Sequence, residues 1–136
     1  MLLTSKKATI STYANTSIYQ YTFDEFIDED SNFSGNKLTG VPSGVFNAGM
    51  SFKTKFGLYG NINHQYVGRI PANDANTVFS DSYNLTNSKI GYQHIFHEKL
   101  DFNIYFGVNN IFDTKYASQL QVNATGFGGA APRFFM

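Results

Sequence analysis

The 136-residue chain has no cysteine, no tryptophan and no net charge, with ten basic and ten acidic side chains. Without cysteine there are no disulfides, no thiolate nucleophile and no Cys-based zinc or iron–sulfur site. Its compartment stays open, because a large bacterial envelope protein needs no disulfide. The zero net charge argues against nucleic acid as a partner, since phosphate binding needs a basic patch to displace counterions. No apolar run reaches the roughly 18 residues of a transmembrane helix. The opening Met1-Leu2-Leu3-Thr4-Ser5-Lys6-Lys7 places its leucines before its lysines, which is not the order of a signal peptide. A membrane-spanning helical protein is excluded. A membrane β-barrel is not, because its strands are short and need an apolar residue only at every second position.

What the chain does have is aromatic residues and asparagine. It carries 14 Phe and 9 Tyr, while charged residues make up 15%, below the roughly 25% usual in soluble domains. Aromatic side chains favour a pleated surface, and Asn and Gly favour turns, so the composition leans all-β.

The hydrophobic period agrees. In Leu100–Phe112, Leu100, Phe102, Ile104, Phe106 and Val108 alternate with Asp101, Asn103, Tyr105, Gly107 and Asn109. Successive strand side chains point to opposite faces, so this segment has an apolar and a mostly polar face, and a helix would scatter both sets. Val45–Lys53 and Leu58–Gly68 alternate in the same way, joined by Thr54-Lys55-Phe56-Gly57, short enough for a hairpin turn. Tyr83–Phe96 alternates best in its second half, and His97-Glu98-Lys99 forms a second short turn. Ala8–Phe23 is strand-like, but both of its faces are mixed, so its pattern does not fix the register.

The connections alternate in length. Asp24–Gly44, Arg69–Ser82 and Asp113–Arg133 are long, and the two turns between them are short. Soluble hairpin sheets have little reason for this parity. Outer-membrane barrels have one, because their periplasmic turns are short and their extracellular loops long. Strands of about 9–11 residues also suit a tilted crossing of the hydrocarbon. The expected fold is therefore all-β, an antiparallel up-and-down meander of about five strands cut from a large transmembrane barrel. Phe46, Met50, Ile62, Ile90, Phe102, Ile104 and Phe106 are expected to face lipid. Asn47, Asn61, Asn63, Gln65, Lys89, Asp101 and Asn103 are expected to face the lumen, with Tyr66, Tyr92, Phe96 and Phe112 in the interfacial aromatic girdles.

Other motifs yield little. His94 and His97 are three apart, so on a strand they face opposite sides, and His64 belongs to another strand. Surface or interfacial histidines are a better reading than a metal centre. Asp28-Glu29-Asp30-Ser31-Asn32 begins like a calcium loop, but Phe33 stands where the turn needs Gly and Thr39 where a bidentate carboxylate is required. Gly126-Phe127-Gly128-Gly129 lacks the strand-to-helix setting of a phosphate loop, and there is no nucleophile elbow. No enzyme and no cofactor are expected.

Gly107-Val108-Asn109-Asn110-Ile111-Phe112-Asp113-Thr114-Lys115-Tyr116-Ala117 resembles the G-V-x-N-L-F-D-x-x-Y signature near the C-terminus of TonB-dependent outer-membrane receptors, with Ile111 in place of the commoner Leu. Ser34-Gly35-Asn36-Lys37-Leu38-Thr39-Gly40-Val41-Pro42 is similar to the family's G-N-x-L-x-G-V-P loop end. Tyr66-Val67-Gly68-Arg69 and Ile90-Gly91-Tyr92 match its later strands in order. The resemblance runs from about Tyr19 to Pro132. It implies a 22-stranded barrel in the bacterial outer membrane, filled by a plug domain, which imports a scarce nutrient with energy passed through the TonB complex. Ferric siderophores lead the expected ligands, ahead of haem, cobalamin and oligosaccharides. On this reading residues 1–136 are a C-terminal piece of the barrel without its plug or its final strand, inactive alone. Gly107, Asn109, Asn110, Phe112, Asp113 and Tyr116 are then structural signature residues, and no ligand-binding residue is assigned. The alternative is a soluble, aromatic-rich carbohydrate-binding β-domain, which would share the Tyr, Phe and Asn content but not the alternating connections.

Overall fold

The computed structural model describes residues 2–4, 7–96, 100–117, 119–122 and 133–135. It is all-β among these residues. In chain order the strands are β1 (Leu2–Thr4), β2 (Ala8–Ile18), β3 (Ile27–Asp28), β4 (Ser31–Asn32), β5 (Gly44–Thr54) and β6 (Leu58–Val67). They continue with β7 (Ile70–Pro71), β8 (Phe79–Ser80), β9 (Tyr83–Phe96), β10 (Leu100–Val108), β11 (Gln119–Gln121) and β12 (Arg133–Phe135). Five long strands with a short one beside them form the main sheet, in the order β1-β2-β5-β6-β9-β10, and among the described residues the two ends of that order are not joined. Three two-stranded sheets, β3-β4, β7-β8 and β11-β12, accompany it.

Each long strand is next to its neighbour in the chain, so the sheet is the expected antiparallel meander. β10 lies on β9 with Ile104 opposite Tyr92, Phe102 opposite His94 and Phe106 opposite Ile90. The β5–β6 connection is the short turn read from Thr54–Gly57: Gly57 sits at φ 103°, its N–H donates to the Thr54 carbonyl, and Thr54 Oγ1 donates to the Leu58 carbonyl at 2.9 Å. A side chain at that φ would be strained, which is why glycine closes the hairpin. The other short turn, at His97–Lys99, lies outside the described residues.

Two strand limits differ from the pattern. The strand expected over Ala8–Phe23 ends at Ile18. Beyond it Tyr21 and Phe23 turn to a different partner, with Leu38 N donating to the Tyr21 carbonyl and Phe23 N to the Asn36 carbonyl. The strand expected over Leu100–Phe112 ends at Val108, because Asn110 and Asp113 take left-handed φ values of 50° and 49° that no ladder can accept. The long connections also carry structure of their own. β3-β4 lies in the first and β7-β8 in the second, where Ile70 pairs with Ser80 and Pro71 with Phe79.

The chain divides into two compact units. One comprises Met1–Asn15, Phe46–Gln65 and Asn84–Thr114; the other comprises Thr16–Val45, Tyr66–Tyr83 and Lys115–Met136. Among the described residues only Val67 and Ala72 are buried hydrophobics. A soluble sheet covers one face with a core; this one does not. Its exposed large side chains fall mainly on one parity: Phe46, Met50, Ile62, Ile90, Phe102, Ile104 and Phe106 are all exposed, Phe106 at 69%.

Candidate functional site

The strand unit carries a polar face whose side chains are tied to one another across strands. Gln65 Nε2 donates to Asn47 Oδ1 at 3.1 Å, and Asn47 Nδ2 donates to Asn15 Oδ1 at 3.2 Å, a chain across β6, β5 and β2. Gln93 Nε2 reaches both carboxylate oxygens of Asp101, at 3.2 and 3.1 Å. Lys89 Nζ lies 5.8 Å from the Tyr59 ring centre and 5.2 Å from that of Tyr105, within cation–π range of both. Asn47, Asn63, Gln65, Lys89, Asp101 and Asn103, all expected to face the lumen, take part in this layer.

One arrangement occurs twice. Tyr13 on β2 passes over Gly49 on β5, and its hydroxyl donates to Asn63 Oδ1 on β6 at 3.2 Å. Tyr59 on β6 passes over Gly91 on β9, and its hydroxyl donates to Asn103 Oδ1 on β10 at 2.8 Å. In each case a glycine is needed in the middle strand. A methyl group at Gly91 would stand 2.5 Å from Tyr59 Cζ, and one at Gly49 would run into the Tyr13 ring. Tyrosine suits this role because its flat ring covers the bare backbone while the hydroxyl keeps a hydrogen bond. The arrangement settles the face of β2: Tyr13 and Asn15 belong to the polar side.

The opposite face carries a ring row on β9: His94 lies 6.1 Å from Tyr92 and 4.5 Å, edge-on, from Phe96. His64 Nδ1 meets Thr86 Oγ1 at 2.9 Å, and Thr86 is buried. His64 and His94 are thus committed to separate local contacts, and His97 lies outside the described residues. The Asp28–Asn32 run is the β3-β4 hairpin, with Glu29 at φ 50°. Among the described residues no three His, Asp or Glu side chains converge on a metal-sized site.

The loop unit is held by side-chain amides. Lys37 N donates to Asn76 Oδ1 at 2.7 Å, and Asn76 Nδ2 donates back to the Lys37 carbonyl at 2.9 Å. Asn76 therefore pairs with the Lys37 backbone as a neighbouring strand would. Thr39 Oγ1 donates to Asp74 Oδ1 at 2.6 Å, and Asn36 Nδ2 donates to the Asp74 carbonyl at 2.8 Å. The first two long connections are thereby clasped together.

The signature residues divide between turn and packing. Gly107 pairs with Lys89 at the end of the β9–β10 ladder. Asn110 builds the turn: its N–H donates to Asn87 Oδ1 at 2.8 Å, its Oδ1 accepts the Thr114 N–H at 2.9 Å, and its Nδ2 donates to the Thr114 carbonyl at 3.0 Å. Asp113 N donates to the Asn110 carbonyl and Ile111 N to the Thr86 carbonyl, each at 2.9 Å. Asn109 and Phe112 are exposed, Phe112 at 72%. In the loop unit, Tyr116 packs on Tyr83 with ring centres 4.9 Å apart. The roles of Tyr13, Tyr59, Gly49, Gly91, Asn76 and the Asp74 carboxylate are not evident from the hydrophobic pattern. A tyrosine opposite a glycine on the polar parity is the available signal, and it appears only once the register is known.

An antiparallel meander with one exposed apolar face and one hydrogen-bonded polar face, and almost no core, is built as the wall of a transmembrane β-barrel. The family model described as TonB dependent receptor-like, beta-barrel, matches residues 7–111. The chain belongs to that family.

Proposed function

We propose that this chain is one arc of an outer-membrane barrel that imports a scarce nutrient, a ferric siderophore first among the candidates, driven through the TonB complex. The family supports outer-membrane nutrient transport as the general role. The observation that carries the reading is the split between the faces: the Phe102, Ile104, Phe106 row has no covering core, while the opposite parity is joined by cross-strand hydrogen bonds. Hydrocarbon fits the first face, and water or a plug domain fits the second. Among the described residues the two ends of the sheet are not joined, which supports further partners, since bare N–H and C=O groups at an edge in lipid cost several kcal/mol each by the usual desolvation figures. Those partners are the remaining barrel strands. The long connections Asp24–Gly44 and Arg69–Ser82 then face the cell exterior.

Cysteine labelling tests this, because the chain contributes no cysteine of its own. In the receptor that carries the chain, Glu29→Cys at the β3-β4 tip should react with a membrane-impermeant maleimide on intact cells. Lys55→Cys in the β5–β6 turn should react only after the outer membrane is opened. The reverse pattern would overturn the topology.

A further inference from the structure

The contact of a tyrosine with a glycine on the polar face recurs at a fixed place in the meander. Lys55 N donates to the Lys7 carbonyl at 3.1 Å and Gln93 N to the Gly57 carbonyl at 2.9 Å. Counted along antiparallel strands from these bonds, Tyr13 stands opposite Gly49 and Tyr59 opposite Gly91. The two tyrosines lie on β2 and β6, which run one way, and the two glycines on β5 and β9, which run the other. β10 runs the same way as β2 and β6, and it too carries a tyrosine on the polar parity, Tyr105. Tyr105 pairs with Gly91 across the β9–β10 ladder, yet the space over Gly91 is already filled by the Tyr59 ring. Tyr105 is left 65% exposed, with Lys89 Nζ 5.2 Å from its ring centre. Among the described residues β10 ends the sheet order, so no strand lies on its other side.

We propose that the barrel strand pairing with the free edge of β10 carries a glycine opposite Tyr105, and that Tyr105 lays its ring over that glycine as Tyr13 and Tyr59 do over theirs. Resting on the barrel reading above, this names the chemistry of the surface that β10 accepts. Strand side chains lean along the strand direction, so tyrosines on strands that run the same way incline to the same side of a tilted wall. Tyr13 and Tyr59 both cover the strand after their own, and Tyr105 inclines likewise past the edge of the sheet. A residue with a β-carbon beneath the ring would collide with it, as a methyl group at Gly49 would with Tyr13. Glycine avoids the collision but leaves its backbone bare, and the aromatic ring covers it. The seam seen between β2 and β5 and between β6 and β9 thereby continues beyond β10.

The chain brings no cysteine of its own. In the receptor that carries it, freed of any other cysteine, Tyr105→Cys is combined with single cysteines placed one at a time along the strand beside β10. Residues directly opposite in an antiparallel pair are within disulfide reach. The position that cross-links fastest should be a glycine in the parent receptor. Changing that glycine to alanine should lower the folding equilibrium about 5–30-fold, read from denaturant unfolding in lipid vesicles. In a Tyr105→Ala background the same change should act less than about two-fold, because the ring it would strike is gone. Tyr105→Phe keeps the ring and should keep the full effect. The proposal is overturned if the fastest-linking position bears a side chain in the parent, which would leave Tyr105 to a partner inside the lumen. It is equally overturned if the change to alanine costs the same with and without Tyr105. Either result, with the Glu29→Cys and Lys55→Cys labelling as expected, fells this proposal alone. If Tyr105→Cys links to no strand at all, the edge of β10 is unpaired and the barrel reading falls with it.

Discussion

Ile104 and Asn103 are adjacent in β10, yet replacing each with arginine should have very different consequences. Ile104 is the central residue of a nine-residue strand. At about 3.3 Å per residue it stands roughly 13 Å along the strand from either end. It is 59% exposed beside Phe102 and Phe106, with Tyr92 opposite. An arginine there would meet hydrocarbon near the bilayer midplane, where such a substitution costs about 2–4 kcal/mol. Asn103 points to the other side, where it accepts the Tyr59 hydroxyl. Arginine there loses that acceptor, worth about 0.5–1.5 kcal/mol, but keeps its charge on the polar face. The expected gap between the two variants is thus about 2 kcal/mol, or close to a thirty-fold difference in the folding equilibrium. Reversible denaturant unfolding of the receptor in lipid vesicles would measure it. Equal losses, or a larger loss at Asn103, would show that the two faces have been assigned the wrong way round.

Gly91→Ala should destabilise by about 1–3 kcal/mol and should cost more than Gly49→Ala. The new methyl at Gly91 meets the Ile104 carbonyl at 2.9 Å as well as the movable Tyr59 ring, whereas at Gly49 the neighbours are side chains; denaturant midpoints of the two variants would rank them. Asn110→Ala should destabilise by about 2 kcal/mol, because it removes two hydrogen bonds to Thr114 and leaves a β-carbon at φ 50° without the amide that favours it. The matched Asn109→Ala, at an exposed site, should stay within about 0.5 kcal/mol of the parent. Asn76→Ala should open the clasp on Lys37 and speed hydrogen exchange at the Lys37 amide, with no change at the Ile104 amide; protection unchanged at Lys37 would refute the clasp.

Period-two alternation made the long strands legible. Leu100–Val108, Leu58–Val67 and Gly44–Thr54 each place apolar residues on one parity, and a strand has only two faces to choose from. Ala8–Ile18 was not legible in this way, since Ser, Thr, Asn and Ala suit either environment. Its face is set by Tyr13 reaching Asn63, fifty residues away in sequence. The loop unit was hidden for the same reason. Nothing local to Asn76 says that its amide will pair with the backbone of Lys37, and Pro71 argues against the strand it forms with Phe79. The signature Asn110 could be read as a turn former from its type, but its partners Asn87 and Thr114 could not.

The tyrosine that spans a glycine also bears on how such a wall is assembled correctly. Tyr59 and Asn103 sit on strands that do not touch, so their 2.8 Å bond closes only when β6 is aligned on β9 and β9 on β10. A slip of one residue at either seam would send one of the two groups to the lipid side, leaving a hydroxyl or an amide without a partner in hydrocarbon. Two independent alignments are thereby checked by a single contact, and Tyr13 with Asn63 repeats the check for β2, β5 and β6. On the barrel reading proposed above, mispaired intermediates would carry their error as a bare polar group facing hydrocarbon, where it favours separation and another attempt.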